Sequence, residues 1–468
     1  MSCSENSLLA QLRDRLDRFL ATPYYIIAFM VLSIVSHLFS LEVPVYTVFA
    51  LVAIYTAVLG NDLLPLTPLF LFGYISPSIG NNPGLNEHSV FSGVTGLYLA
   101  VLAVLMSLAV IWHLIRNREQ FFRKKRTLLL GLAVLSAAYL LCGIGTDHYK
   151  STASRNLLFA AMQAGSLLIP YLLLSGGVNW DRARKDYLAW VGFTGGAAIL
   201  VQVLNCYITQ NVVIDGIIIR KNIYAGWGMY NNMGFLLAMA IPFAFYLATK
   251  YRRGWIGTVV GSVFWVGVLL TCSRTSVIVG TLIYCLCVFL MLHYARNRKH
   301  NTVALISVLA VSAAVLLLFR HQLLRLFSGF LGMGIDPSSR DVFFREGWKL
   351  FLQAPVLGNS FYSPGYVPWD FSTVDALSTL IPPRWHSTPL QLMVSCGTVG
   401  LCAYGFHRFQ TLRLLFKSRS KEITFIGCAV SVLLVCSLFD CHFFNIGPTL
   451  FYSAALAFAE NSQREPSK

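Results

Sequence analysis

Residues 255–293 read WIGTVVGSVFWVGVLLTCSRTSVIVGTLIYCLCVFLMLH, and Arg274 is their single formal charge. The two apolar halves, Trp255–Thr271 and Val277–His293, each reach the lower limit of about 17 residues for a helix that crosses a hydrocarbon core. The stretch therefore reads as two membrane helices joined by the turn Ser273-Arg274-Thr275-Ser276. An arginine at the mouth of such a hairpin is costly unless it faces a cavity and meets something anionic. The pattern continues in both directions. Apolar segments fall near 24–40, 43–60, 63–77, 93–115, 127–146, 156–175, 188–207, 231–249, 255–271, 275–294, 301–319, 388–407, 423–440 and 446–459. The third and the last are short enough to be re-entrant. The expectation is an all-α polytopic membrane protein with 12–14 transmembrane helices.

Composition points the same way. The chain has 468 residues, 56% hydrophobic and 12% charged, with mean hydropathy +0.63; a soluble domain carries about 25% charged residues. The first apolar segment, Tyr24–Phe39, lacks a small-residue cleavage site and is expected to stay as an anchor. The net charge of +16 follows the loops and implies no nucleic-acid partner. Of 36 Lys and Arg, 25 fall at the N-terminus, in 116–126, 182–185, 250–253, 296–299 and 408–421, or at the C-terminus. The positive-inside rule then places both termini in the cytoplasm and the remaining 11 cations outside. The chain divides into helices over 1–319, a long extracytoplasmic loop over 320–387 and C-terminal helices over 388–468.

That long loop carries its own helix. Asp336-Pro337 reads as N-cap and first helical residue, and Ser338–Gln353 runs on until Pro355. Val342, Phe343, Phe344, Trp348, Phe351 and Leu352 give it an apolar side suited to the outer leaflet or to a lid over the bundle.

Chemistry-bearing residues are few, and each has a plainer reading beside it. Arg274 either points a permanent charge into the bundle or snorkels to the headgroups. Arg340 sits in the first turn of the loop helix, against the helix dipole; it suits phosphate oxygens, or a salt bridge to Asp341 or Asp336. His386, just before the next span, is a general base or a polar helix cap. Arg220 is a further outer cation. Trp348 and Trp385 suit stacking on sugar rings, and equally an interfacial belt. The outer acids picked out here are Glu42, Glu87, Asp147, Asp215, Asp336, Asp341, Glu346, Asp370 and Asp375; they form no close pair, so no metal site is expected. The 11 cysteines have no regular spacing and read as buried small residues. Nucleotide-binding and hydrolase motifs are missing from the sequence.

Four stretches carry a resemblance. They are GWGMYNNMGF (226–235), LTCSRTS (270–276), SSR (338–340) with Trp348 and APVLG (354–358), and HSTPLQLMVSCGTVG (386–400). In this order and spacing they resemble the O-antigen ligase and O-antigen polymerase superfamily of bacterial membrane glycosyltransferases. Ser387 stands where that family often has Asn, and Asn231 where it often has Pro. The resemblance implies metal-independent, inverting transfer of a glycan from undecaprenyl diphosphate in the inner membrane to a glycan or a lipid or cell-wall acceptor, with no cofactor. Arg274 and Arg340 would neutralise the departing diphosphate, and His386 would take or orient the acceptor's proton. Arg220 and Asn232 would be secondary contacts. The rival reading is a transporter, a flippase for lipid-linked oligosaccharide. A flippase should place cations along several spans, whereas here the mid-span segments are nearly uncharged.

Overall fold

The computed structural model describes residues 2–60, 62–78, 93–123, 126–181, 183–331, 340–362, 384–417 and 420–463. Helices dominate. The chain opens with α1 (Ser2–Leu20), α2 (Pro23–Phe39), α3 (Glu42–Val58), α4 (Leu69–Ile75), α5 (Gly93–Arg116), α6 (Arg118–Arg123), α7 (Leu129–Leu140), α8 (Asp147–Gly177) and α9 (Tyr187–Thr209). Two small antiparallel hairpins follow, β1 (Val213–Ile214) with β2 (Ile217–Ile218) and β3 (Tyr224–Ala225) with β4 (Gly228–Met229). Then come α10 (Tyr230–Lys250), α11 (Trp255–Leu270), α12 (Arg274–Tyr294), α13 (Arg298–Leu318), α14 (Arg320–Leu326) and α15 (Ser328–Leu331). The chain closes with α16 (Arg340–Gln353), α17 (Thr388–Lys417), α18 (Lys421–Phe439) and α19 (Ile446–Ser462).

Every apolar segment read from the sequence holds helix. Among the described residues, eight helices are long and apolar enough to cross a membrane, and nine if the bent pair α1–α2 counts as one span. Four shorter apolar helices, Glu42–Val58, Leu64–Ile75, Leu129–Leu140 and Trp255–Leu270, lie at further expected segments. The segment near 63–77 is short because Pro65 and Pro68 break it into a 3-10 turn and α4. The protein is all-α and polytopic.

α10 is the hub. From Met233 to Thr249 every residue is buried, and α9, α11, α12 and α18 pack around it. Without a hydrophobic drive between helices in lipid, close approach depends on small residues. At Gly234 a Cβ would lie 2.6 Å from Thr271 Oγ1. Glycine there lets the N-terminal end of α10 approach the α11–α12 turn that bears Arg274. α19, likewise buried almost throughout, lies between α8, α4 and α18.

The loop helix is α16, beginning at Arg340; the cap expected at Asp336-Pro337 lies outside the described residues. It packs along α17 through Phe343, Leu390, Val394 and Trp385. Gly347 lies where the two helices approach closely, and a Cβ there would lie 2.8 Å from Leu390 Cδ1, the mobile end of a side chain. Phe344, Trp348 and Leu352 point the other way and are exposed. The chain after α16 then inserts into a break in α17 at Gly397 (φ 63°, ψ −157°). Asn359 and Ser360 amides donate to Val394 and Ser395 carbonyls (2.8 and 3.2 Å). Thr398 and Val399 amides donate back to Pro355 and Val356 (2.9 and 3.2 Å). Gly143 N donates to Leu357 O (2.7 Å), and Phe361 N to Asn156 Oδ1 (2.9 Å). The broken helix thus recovers its backbone hydrogen bonds from the loop, and the loop is held against α7 and α8.

Arg408, counted above with the cytoplasmic cations, is drawn into the bundle instead. Its guanidinium lies over the rings of Tyr404 (4.4 Å) and Phe443 (4.3 Å) and donates to Tyr404 and Tyr452 hydroxyls (2.9 and 3.1 Å). Aromatic faces and two hydroxyls compensate the charge.

Candidate active site

His386 opens the site. It precedes α17 with a left-handed backbone (φ 51°), and it is the next residue, Ser387, whose Oγ accepts from Leu390 N in the first turn (3.5 Å). The side chain is 43% exposed, and its ring faces Phe343 of α16 at 5.2 Å. Nδ1 stands 3.7 Å from Asp440 Oδ1. With an N–H at Nδ1 turned to the carboxylate, Nε2 keeps its lone pair for a proton from elsewhere.

Asp440 is the residue that organises the surroundings. It ends α18, and its carboxylate accepts from Cys441 N (2.7 Å) and from Asn231 Nδ2 (3.2 Å). His442, buried and tilted against Phe235 at 4.2 Å, places Nε2 3.9 Å from it. Burial raises the Asp440 pKa, but the neighbouring His442 and His386 imidazoles outweigh it and hold the carboxyl well below the usual range. His442 goes the other way: burial lowers its pKa and outweighs the pull of Asp440. The pair is therefore a carboxylate beside a neutral imidazole at neutral pH.

From Asp440 the network runs to the arginine turn. Asn231 Oδ1 accepts from Ser273 Oγ (2.9 Å), and Ser273 Oγ meets Ser276 Oγ (2.9 Å). Arg274 is the first residue of α12, directly after Ser273, and is partly buried. A second branch fixes the neighbouring asparagine: Asn445 Nδ2 donates to Asn232 Oδ1 (3.0 Å), and Arg384 Nη1 donates to Asn445 Oδ1. Arg220 lies over the ring of Tyr230, the residue before Asn231, at 5.1 Å.

The fold brings His386, Arg274, Asn232 and Arg220 to one end of the bundle. Arg340 begins α16, one turn before the Phe343 that touches His386; its side chain lies outside the described residues. The two tryptophans part company. Trp348 is 53% exposed, while Trp385 is 3% exposed and packed against Phe343, Leu390 and Val394, so its ring is occupied by protein. Glu42 is buried and accepts from Ser78 N (2.7 Å), which anchors the segment after α4. Among the described residues no three His, Cys, Asp or Glu side chains group as metal ligands.

Sequence reasoning missed Asp440, Asn231, Arg384 and Asn445 as site residues. A signal for Asp440 existed: it is the sole acid between Glu422 and Glu460, at the C-terminal end of an apolar helix. Residues 262–405 match the family model described as O-antigen ligase. The matched region holds Arg274, Arg340 and His386 and stops short of Asp440. No curated protein matches the chain.

Proposed function

We propose that this chain, whose residues 262–405 match the family model described as O-antigen ligase, transfers a glycan from undecaprenyl diphosphate to an acceptor hydroxyl. The acceptor is a glycan, or a lipid or cell-wall component. The reaction runs at the outer face of the bacterial inner membrane, with both termini in the cytoplasm.

The observation that carries this reading is the polar chain from the arginine turn toward the histidine: Ser273 Oγ donates to Asn231 Oδ1 (2.9 Å), Asn231 Nδ2 donates to Asp440 (3.2 Å), and Asp440 stands at ion-pair distance from His386 Nδ1 (3.7 Å). It links the turn that bears Arg274 to a carboxylate-backed imidazole. His386 Nε2 takes the proton as the acceptor oxygen bonds to the anomeric carbon. The bond from that carbon to the diphosphate oxygen breaks from the opposite side, which inverts the centre. Asp440 stabilises the imidazolium, and Arg274 with Arg340 stabilises the charge on the departing diphosphate. Trp348 and Asn232 contact the sugars.

The test is release of undecaprenyl diphosphate by purified protein in detergent with lipid-linked glycan and EDTA. Arg274→Ala and His386→Ala proteins should insert normally and release none. Release at wild-type rates from both overturns the assignment. A longer glycan still on lipid identifies a polymerase, and release that needs a separate acceptor identifies a ligase. Lipid-linked glycan crossing liposome bilayers without release identifies a transporter.

A further inference from the structure

Four cations stand on the outer rim, apart from His386: Arg220 and Lys221 in the turn after β2, and Arg320 and Arg325 on α14. The positive-inside bias disfavours cations on that face. α14 continues from α13, of which 11% of the apolar window is buried, and folds back onto the β1–β2 hairpin. At Gly216, the hairpin tip, a Cβ would lie 3.1 Å from Arg325 Nε, and at Gly329 a Cβ would lie 3.1 Å from Ile217 Cγ2. Among the described residues none of the four cations makes an ion pair. Arg320 donates to His321 Nε2 (3.1 Å), which supplies no negative charge. Leu318, Phe319, Leu324 and Ile214 are exposed around them.

This combination has an amphiphile's complement: uncompensated guanidinium groups for a polyanionic head and bare leucine and phenylalanine for a hydrocarbon tail. The patch also connects to the site. Gly216 and Arg220 are four residues apart along an extended segment, roughly 13 Å at about 3.3 Å per residue. Arg220 lies over Tyr230, and its charge acts on Cys272, two residues before Arg274. Arginine forks therefore mark a path from a lipid-facing helix to the α11–α12 turn.

We infer that α14 and the β1–β2 hairpin form a docking surface for a polyisoprenyl-diphosphate lipid of the outer leaflet, held by Arg320 and Arg325 and passed by Arg220 to Arg274. The inference rests on the transferase reading above and adds where its donor first binds. Permanent charges meet a diphosphate here at the headgroup level, where long-range attraction raises local concentration and acts on capture more than on chemistry.

The experiment uses the full chain in nanodiscs. Turnover is followed against the mole fraction of undecaprenyl-diphosphate glycan for wild type, the Arg320→Ala, Arg325→Ala pair and the matching lysine pair. A photoactivatable polyisoprenyl diphosphate is cross-linked to wild type without acceptor and the labelled peptides mapped. The alanine pair should raise the half-saturating mole fraction about tenfold, one contact's worth of affinity, while kcat falls less than twofold. The lysine pair should stay close to wild type, and label should appear within 208–230 and 319–331. An unchanged half-saturation, a fall in kcat alone, or label confined to other segments overturns the inference and leaves the transferase reading standing. Label on α14 in a wild-type protein that never turns over does the reverse.

Discussion

Asp440→Asn removes one charge and keeps the volume, so it isolates what the carboxylate does for His386. At the observed 3.7 Å, a carboxylate–imidazolium pair is worth about 4 kcal/mol at an effective dielectric of about 20 and about 1 kcal/mol in bulk water. His386 is 43% exposed, so its environment lies between those limits. If His386 gains its proton in the transition state, the variant loses about 1–4 kcal/mol there, roughly tenfold to a thousandfold in rate. The amide adds a local conflict. Cys441 N and Asn231 Nδ2 both donate to Asp440, and an asparagine has one oxygen for two donors. Asn231 cannot turn over without losing Ser273 as a donor to its oxygen. The assay is initial-rate release of undecaprenyl diphosphate from wild type and Asp440→Asn, with insertion checked by membrane fractionation. Because His386→Ala is expected to release none, the partial loss in Asp440→Asn is what reads the carboxylate's share. Turnover of Asp440→Asn within twofold of wild type would refute the pairing.

Further outcomes follow from the same geometry. Gly358→Ala should cost more than about 4 kcal/mol, because its φ is 72° and a Cβ would meet Ser395 C at 2.3 Å. Gly145→Ala, with φ 94° and nothing within 4 Å, should cost only backbone strain of about 1–2 kcal/mol; thermal melts in detergent rank the two. Gly347→Ala should stay within about 1 kcal/mol of wild type, since the helix gains from alanine what Leu390 must yield. Gly347→Leu should push α16 off α17 and cut turnover at least tenfold while the protein still inserts, read by rate and topology together. The depressed pKa of Asp440 gives a signed pH dependence: its stabilisation is present above the ordinary carboxylate value of about 4 and is lost as pH falls through the lower folded value. The melting-temperature gap between wild type and Asp440→Asn should hold from neutral pH down to about pH 5 and close below about pH 4.

Apolar segment lengths made the all-α polytopic architecture legible, because a bilayer admits helices of set length and most of the segments meet that condition alone. Arg274 and His386 were singled out as candidates for a related reason. A cation at a helix mouth and a histidine at a membrane edge are costly or unusual where they stand, whatever surrounds them. Arg340 was placed by the sequence in the loop helix, and it lies in α16; the expected start at Asp336-Pro337 falls outside the described residues. What pairs with them was not legible. Asp440 lies 54 residues from His386 and Asn231 lies 42 from Ser273, and each looks like an ordinary helix-end residue by itself. Gly234 and Gly397 decided those meetings, one by letting α10 close on the α11–α12 turn, the other by breaking α17 so that the loop fills the gap. The same holds for Trp385 and Arg408, whose neighbours turn an indole suited to sugars into core and a cytoplasmic cation into the centre of an aromatic cage. Sequence alone determined which residues are expensive to place. Tertiary structure decided what each one faces, since hydrogen bonds and charge pairs act over a few ångströms between segments far apart in the chain.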